Sequence, residues 1–189
     1  MNLPNKLTVL RIIMIPIFVA LFYITAIPYN YALSALVFAL AAFTDFLDGH
    51  IARKFNLVTD FGKFLDPIAD KVLVSTALII MLLPYGSLSI LPWYGAICVA
   101  IIMARELIVS GFRLIAAGKG KVIAADWSGK IKTFLTDVAI VVLLVSASFI
   151  DSLGVLNLIG RILLYLSTLL TVYSGIECLV KNKGVISSK

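Results

Sequence analysis

The chain has 189 residues, 61% of them hydrophobic and 14% charged, with a mean hydropathy of +1.08 and a formal net charge of +6. Soluble domains average ~45–50% apolar and ~25% charged residues, so this composition excludes an ordinary soluble domain and leaves a compact membrane protein of one domain, residues 1–189. The basic balance belongs to cytoplasmic loops beside anionic headgroups and not to a nucleic-acid binder.

In chain order, about six spanning segments are predicted, over residues 10–26, 31–52, 65–84, 91–115, 133–150 and 155–178, each near the ~20 residues that cross a bilayer core. The fold class is therefore all-α, a polytopic helical bundle. The N-terminus has the basic start and apolar middle of a signal peptide, but its apolar part is long enough to span, and Arg11 interrupts its beginning. With further spans following, it reads as a retained first helix. The turns at Ile27-Pro28-Tyr29-Asn30, Pro84-Tyr85-Gly86-Ser87 and Asp151-Ser152-Leu153-Gly154 carry no Lys or Arg. The opposite ends carry Lys6 and Arg11, then Arg53, Lys54, Lys63 and Lys71, then Arg113, Lys119, Lys121, Lys130 and Lys132, then Lys181, Lys183 and Lys189. The positive-inside bias predicts both termini and the two long connections in the cytoplasm, and the expected location is the cell (plasma) membrane. Trp93 and Tyr94 suit the outer interface, and Cys98 and Cys178, isolated in apolar runs, form neither a metal set nor a disulfide framework.

One stretch departs from this apolar background. Residues 45–70, DFLDGHIARKFNLVTDFGKFLDPIAD, hold Asp45, Asp48, Asp60, Asp66 and Asp70, half of the 10 acidic residues. A charge at membrane depth costs ~2.5–3.5 kcal/mol even on the mildest insertion scale, so these carboxylates need compensation. Asp45 and Asp48 are three apart and Asp66 and Asp70 four apart, so each pair projects from one face of its own helix. Two antiparallel neighbours then aim four carboxylates into one cavity on the cytoplasmic side, where mutual repulsion calls for shared cations. Hard oxygen ligands without His or Cys favour two ions of Mg2+ or Mn2+, with Ca2+ as competitor. Such a pair clamps phosphate oxygens during in-line displacement. Gly49 and Gly62 permit close backbone approach and Arg53 supplies a fixed cation, so the set points to phosphoryl or phosphatidyl transfer. Asp60, Lys54 and Lys63 need no more than a solvated loop to explain them.

Asp45, Asp48, Gly49, Ala52, Arg53, Gly62, Asp66 and Asp70 spell D-x-x-D-G-x-x-A-R-x8-G-x-x-x-D-x-x-x-D. This resembles the signature of the CDP-alcohol phosphotransferases, integral membrane enzymes that pass a phosphatidyl or related group from a CDP-linked donor to an alcohol. Pro4, Asn5, Thr8 and Arg11 match a P-N-x-x-T-x-x-R opening. The stretch MARELIVSGFRLIAAGKGKVIAADWSGKIKT is similar to the bacterial branch of the family that takes glycerol 3-phosphate as acceptor. The resemblance implies metal ligation by Asp45, Asp48, Asp66 and Asp70, with Asp70 also the general base. It further implies a donor pocket for the cytidine nucleotide of CDP-diacylglycerol at Asp48, Gly49, Ala52, Arg53 and Gly62, with Asn5 and Thr8 beside it, and a homodimer.

An anionic acceptor needs further cations, and Arg105, Arg113, Lys130 and Lys132 are the candidates. Arg105 and Arg113 stand two turns apart in an apolar helix, near one face. The expected reaction gives phosphatidylglycerophosphate and CMP. Rival readings keep the chemistry with serine, inositol phosphate or phosphatidylglycerol as acceptor, or make the chain a divalent-cation transporter. The charges Glu106, Asp137, Arg161 and Glu177 are expected to pair within the bundle.

Overall fold

The computed structural model describes residues 3–54, 60–83, 90–121, 123, 126–149 and 154–184, with the side chains of residues 3–4, 46–54, 60–61 and 63–64 set aside. It contains six helices: α1 (Leu3–Tyr23), α2 (Asn30–Lys54), α3 (Asp60–Leu82), α4 (Gly95–Gly118), α5 (Trp127–Ser148) and α6 (Gly154–Lys181). No strand occurs among the described residues. By length and composition α1, α4, α5 and α6 can each cross a membrane, and Asn30–Asp45 is a shorter apolar stretch. The chain is thus an all-helical, multi-pass membrane protein.

Six helices occupy the six predicted segments, with shifted ends. The first begins at Leu3, because Pro4 is tolerated in a first turn, where its missing N–H has no intrahelical partner. The fifth begins at Trp127 and so takes in Ser128, Gly129, Lys130 and Lys132, which hydropathy alone assigns to a connection. Hydropathy reports only the apolar run, and these polar first turns extend the helix before it, with Ser128 and Lys132 paired to groups of neighbouring helices. The turn between α1 and α2 holds Tyr29 in the left-handed region (φ 57°), and Asn30 closes it by donating from Nδ2 to the Phe22 carbonyl at 2.8 Å. The predicted turns at 84–87 and 151–154 lie outside the described residues, apart from Gly154, which opens α6.

Packing is most extensive between α5 and α6 and between α1 and α2; α2 also packs on α5, and α4 on α6. The core joins Phe18, Phe22, Phe38, Leu73, Leu78, Met81, Ile140, Leu143, Leu144 and Leu164. Outward faces carry Leu107, Leu114, Phe134, Val155 and Leu169, each at least two-thirds exposed, as expected where the surrounding medium is lipid. Gly160 of α6 lets the backbone approach α5 closely: a Cβ there would lie 2.8 Å from Leu143 Cγ. The hydroxyls of Ser167, Thr168 and Thr171 donate back to carbonyls one turn earlier, so these buried polar groups cost little in a lipid-surrounded bundle.

Candidate active site

The site is built where the first three helices meet. Along α1, Asn5, Thr8 and Arg11 follow at intervals of three residues, share one face and are all buried. That face is polar because it receives the carboxylates. Thr8 Oγ1 donates to Asp66 Oδ1 of α3 at 2.5 Å. Arg11, fully buried, places Nη1 2.7 Å from Asp45 Oδ1 of α2 and donates from Nε to the Ala41 carbonyl at 3.3 Å. A buried guanidinium needs both kinds of partner, since an unpaired charge in a protein interior costs several kcal/mol.

The predicted convergence of two helices therefore involves a third, α1. Asp45 is within electrostatic reach of Asp66, and Asp70 within reach of Asp45, Arg11, Glu106 and Lys132. Gly62, buried at the start of α3, lies one turn before Asp66. Asp48, Gly49, Ala52 and Arg53 follow on the last turns of α2, and their side chains lie outside the described residues. Among the described residues no three His, Cys, Asp or Glu side chains stand close enough to hold one ion. The donor chemistry nevertheless fits a hard divalent cation: Asp66 and Asp70 are both within electrostatic reach of Asp45, and all three are carboxylates with no His or Cys among them. Arg11 and Thr8 supply the compensation that Asp45 and Asp66 require.

Asp70 also lines an open cleft between α3, α4 and α5, where α3 packs only lightly on α4 and α5. Lys71, Ser75, Glu106, Lys132, Thr133 and Thr136 form the polar part of its wall, and Val74, Leu78, Ile102 and Met103 the apolar part. Lys132 is buried and forms a close ion pair with Glu106, which also meets Arg105 Nη1 at 3.2 Å. Arg105 Nη2 donates to Ser174 Oγ of α6 at 2.9 Å. Lys71 Nζ makes a close hydrogen bond to Ser110 Oγ, whose own hydroxyl donates to the Glu106 carbonyl.

Two of the four candidate acceptor cations, Arg105 and Lys132, are thus brought together through Glu106. Lys130 is exposed and lies over the Trp127 ring, 5.3 Å from its centroid, and Arg113 is half-buried two turns along α4 from Arg105. Sequence reasoning leaves four contributors unassigned. Arg11 reads as a positive-inside charge and as the last residue of the P-N-x-x-T-x-x-R opening, with no role given to it, although its three-residue spacing from Thr8 signals a shared buried face. Glu106 and Ser174 give no local sign of their partners. Asp137, half-buried on α5 within electrostatic reach of Asp70 and Asp45, is a further carboxylate beside the set. At the far end of α6, Glu177 pairs with Lys181 at 2.6 Å and accepts from Ser128 Oγ at 2.6 Å, a polar clamp between the start of α5 and the end of α6.

The helical bundle carries on α2 and α3 the aspartates of the D-x-x-D-G-x-x-A-R-x8-G-x-x-x-D-x-x-x-D pattern, which points to a class of membrane transferase. The family model for CDP-alcohol phosphatidyltransferase covers residues 1–173, and the chain belongs to that family. Curated relatives called CDP-diacylglycerol--glycerol-3-phosphate 3-phosphatidyltransferase are similar along nearly their whole length. The Bacillus subtilis (strain 168) protein is 40% identical, with 96% of this chain and 95% of the relative covered. That of Rickettsia bellii (strain RML369-C) is 44% identical, covering 92% and 91%, and that of Salmonella paratyphi A is 37% identical, covering 97% and 96%.

Proposed function

We propose that the protein transfers the phosphatidyl group of CDP-diacylglycerol to glycerol 3-phosphate, forming phosphatidylglycerophosphate and CMP in phospholipid synthesis. The observation that carries this reading is a single cleft in which Asp70 and Lys132 share a wall with the apolar Leu78, Ile102 and Met103. A carboxylate suits the proton of an attacking hydroxyl, a cation suits an anionic acceptor, and an apolar side suits a lipid donor.

In this reading Asp70 takes the proton from the acceptor hydroxyl, whose oxygen attacks the phosphorus bearing diacylglycerol in line with the departing CMP. Arg105 and Lys132 hold the acceptor phosphate, with Glu106 between them. Asp45, Asp48, Asp66 and Asp70 are the residues that would hold divalent cations, Mg2+ or Mn2+. When bound, such ions neutralise diphosphate charge and stabilise the leaving group. Gly49, Ala52, Arg53 and Gly62, with Asn5 and Thr8 nearby, form the donor side. Arg11 and Thr8 orient Asp45 and Asp66 for that task. The distribution of Lys and Arg supports a cytoplasmic site, and the reading includes a homodimer.

The test is incubation of the purified, reconstituted protein with CDP-diacylglycerol and, separately, glycerol 3-phosphate, serine, inositol phosphate or phosphatidylglycerol. Release of CMP with phosphatidylglycerophosphate as the sole lipid product is expected with glycerol 3-phosphate. CMP release only with another alcohol would replace the acceptor, and metal flux without CMP release would replace the reaction.

A further inference from the structure

Facing the aspartates across the cleft is a second set of charges with defined geometry. Glu106 of α4 offers one atom, Oε1, to two cations: Lys132 Nζ of α5 in a close ion pair, and Arg105 Nη1 at 3.2 Å. Both nitrogens are within hydrogen-bond reach of one oxygen, so they are held within ~6 Å of each other. Two donors at that spacing can engage neighbouring oxygens of one phosphate.

The two cations differ in what else secures them. Arg105 is fixed from behind: Nη2 donates to Ser174 Oγ, and its stem runs past Gly175, where a Cβ would come within 3.0 Å of Arg105 Cγ. Lys132 is 6% exposed, and the contact that aims its ammonium is Glu106. The other carboxylates within electrostatic reach of Lys132 are Asp70, on the same cleft wall, and Asp137 of α5. A buried ammonium deprived of one acid turns to the next within reach, because an unpaired buried charge is costly. Of the two acids here, the one that shares the cleft wall with Lys132 is Asp70, the proposed base.

We propose that Glu106 is a positioning residue that holds Lys132 and Arg105 at the spacing of two phosphate oxygens and keeps Lys132 away from Asp70. The inference rests on the reading of Arg105 and Lys132 as ligands of the acceptor phosphate.

Its test is Glu106→Gln in the full-length protein reconstituted in vesicles, with separate saturation curves for the two substrates. The KM for glycerol 3-phosphate is expected to rise at least ~10-fold, kcat to fall, and the KM for CDP-diacylglycerol to stay within about twofold of the parent. In a Lys132→Met background the same change is expected to raise the acceptor KM less than in the parent, because only the part of the role of Glu106 that acts through Arg105 remains. An unchanged or lowered acceptor KM, or both KM values rising together, overturns the proposal. Where the Gln variant is lost from the membrane, Glu106→Asp keeps the charge at shorter reach: an intermediate rise in acceptor KM supports positioning, and a parental KM overturns it. Lys132→Met and Arg105→Met separate the two layers of argument. If they raise the acceptor KM while Glu106→Gln does not, positioning fails and the acceptor reading stands; if neither moves it, the acceptor reading itself fails.

Discussion

Arg11 and Asp45 form an ion pair of 2.7 Å between α1 and α2, with the guanidinium fully buried and the carboxylate at the edge of the site. The pair joins the fold to the chemistry, because the residue that compensates Asp45 also ties the first helix to the second through the Ala41 carbonyl. Arg11→Met removes both and leaves Asp45 without its partner. The charge left behind, Asp45, is 42% exposed and can be solvated, so a modest drop in the thermal midpoint in detergent is expected together with loss of CMP release. Arg11→Lys keeps the charge but not the two-point geometry, and a smaller drop in both measurements is expected.

Asp70→Asn retains the shape of the cleft wall and removes the group assigned to take the acceptor proton. General-base catalysis contributes ~10²–10⁴-fold, and a loss of turnover at least that large is expected. Donor binding, followed with CDP-diacylglycerol in the absence of acceptor, is expected to persist. Near-parental turnover would remove Asp70 from the role of base.

Local patterns were legible in the sequence, and pairings between distant helices were not. The spacing of Asp45, Asp66 and Asp70 is a property of single helices, and their convergence follows once α2 and α3 are neighbours. The participation of α1 is different: Arg11 carries the same charge as the other Lys and Arg near helix ends, and only the fold turns it inward onto a residue 34 positions away. Glu106 and Lys132 are 26 positions apart, and nothing near either one specifies the other. Ser174 and Gly175 look like ordinary small residues of a packed membrane helix until Arg105 is placed against them. The early start of α5 escapes a hydropathy reading for a related reason, since its polar first turns lead into residues of the cleft wall, Lys132 and Thr133.

Lys130 and Lys132 illustrate what helix geometry adds to that reading. Two residues apart on α5, they project from different faces: Lys130 over the Trp127 ring and Lys132 into the cleft. Lys130→Ala is expected to leave the acceptor KM within about twofold of the parent, and Lys132→Ala to raise it ~10-fold or more, as loss of a charge-assisted contact predicts. Equal effects of the two substitutions would show that the acceptor phosphate is held by the general positive field of this face.

Thr8 donates to Asp66 and so fixes the direction in which that carboxylate presents its oxygens. Removing a partner of this kind from a metal-binding carboxylate costs ~10–100-fold in metal affinity or activity. Thr8→Val is expected to raise the Mg2+ concentration needed for half-maximal activity by about that factor and to weaken Mn2+ binding followed by electron paramagnetic resonance. Chelation is expected to stop the parental enzyme, with recovery on adding Mg2+ or Mn2+. Full activity in the presence of excess chelator would exclude the divalent-cation reading of the aspartates.

Gly160 and Gly175 lie on the same helix and separate stability from substrate binding. At Gly160 an added Cβ meets Leu143 Cγ at 2.8 Å and the Leu143 backbone nitrogen at 3.3 Å, so α5 and α6 must move apart to admit it. Overpacking of this sort costs ~1–3 kcal/mol, and Gly160→Ala is expected to lower the thermal midpoint while leaving both KM values unchanged. At Gly175 the added Cβ meets Arg105 Cγ at 3.0 Å, and the stem of Arg105 gives way before the helix does. Gly175→Ala is therefore expected to raise the KM for glycerol 3-phosphate with little change in thermal midpoint. Gly175→Val, which adds two methyl groups at the same point, is expected to raise it further. If Gly175→Ala lowers stability as much as Gly160→Ala and leaves the acceptor KM untouched, the close approach at Gly175 serves helix packing alone, and Arg105 takes its place from Ser174 and Glu106.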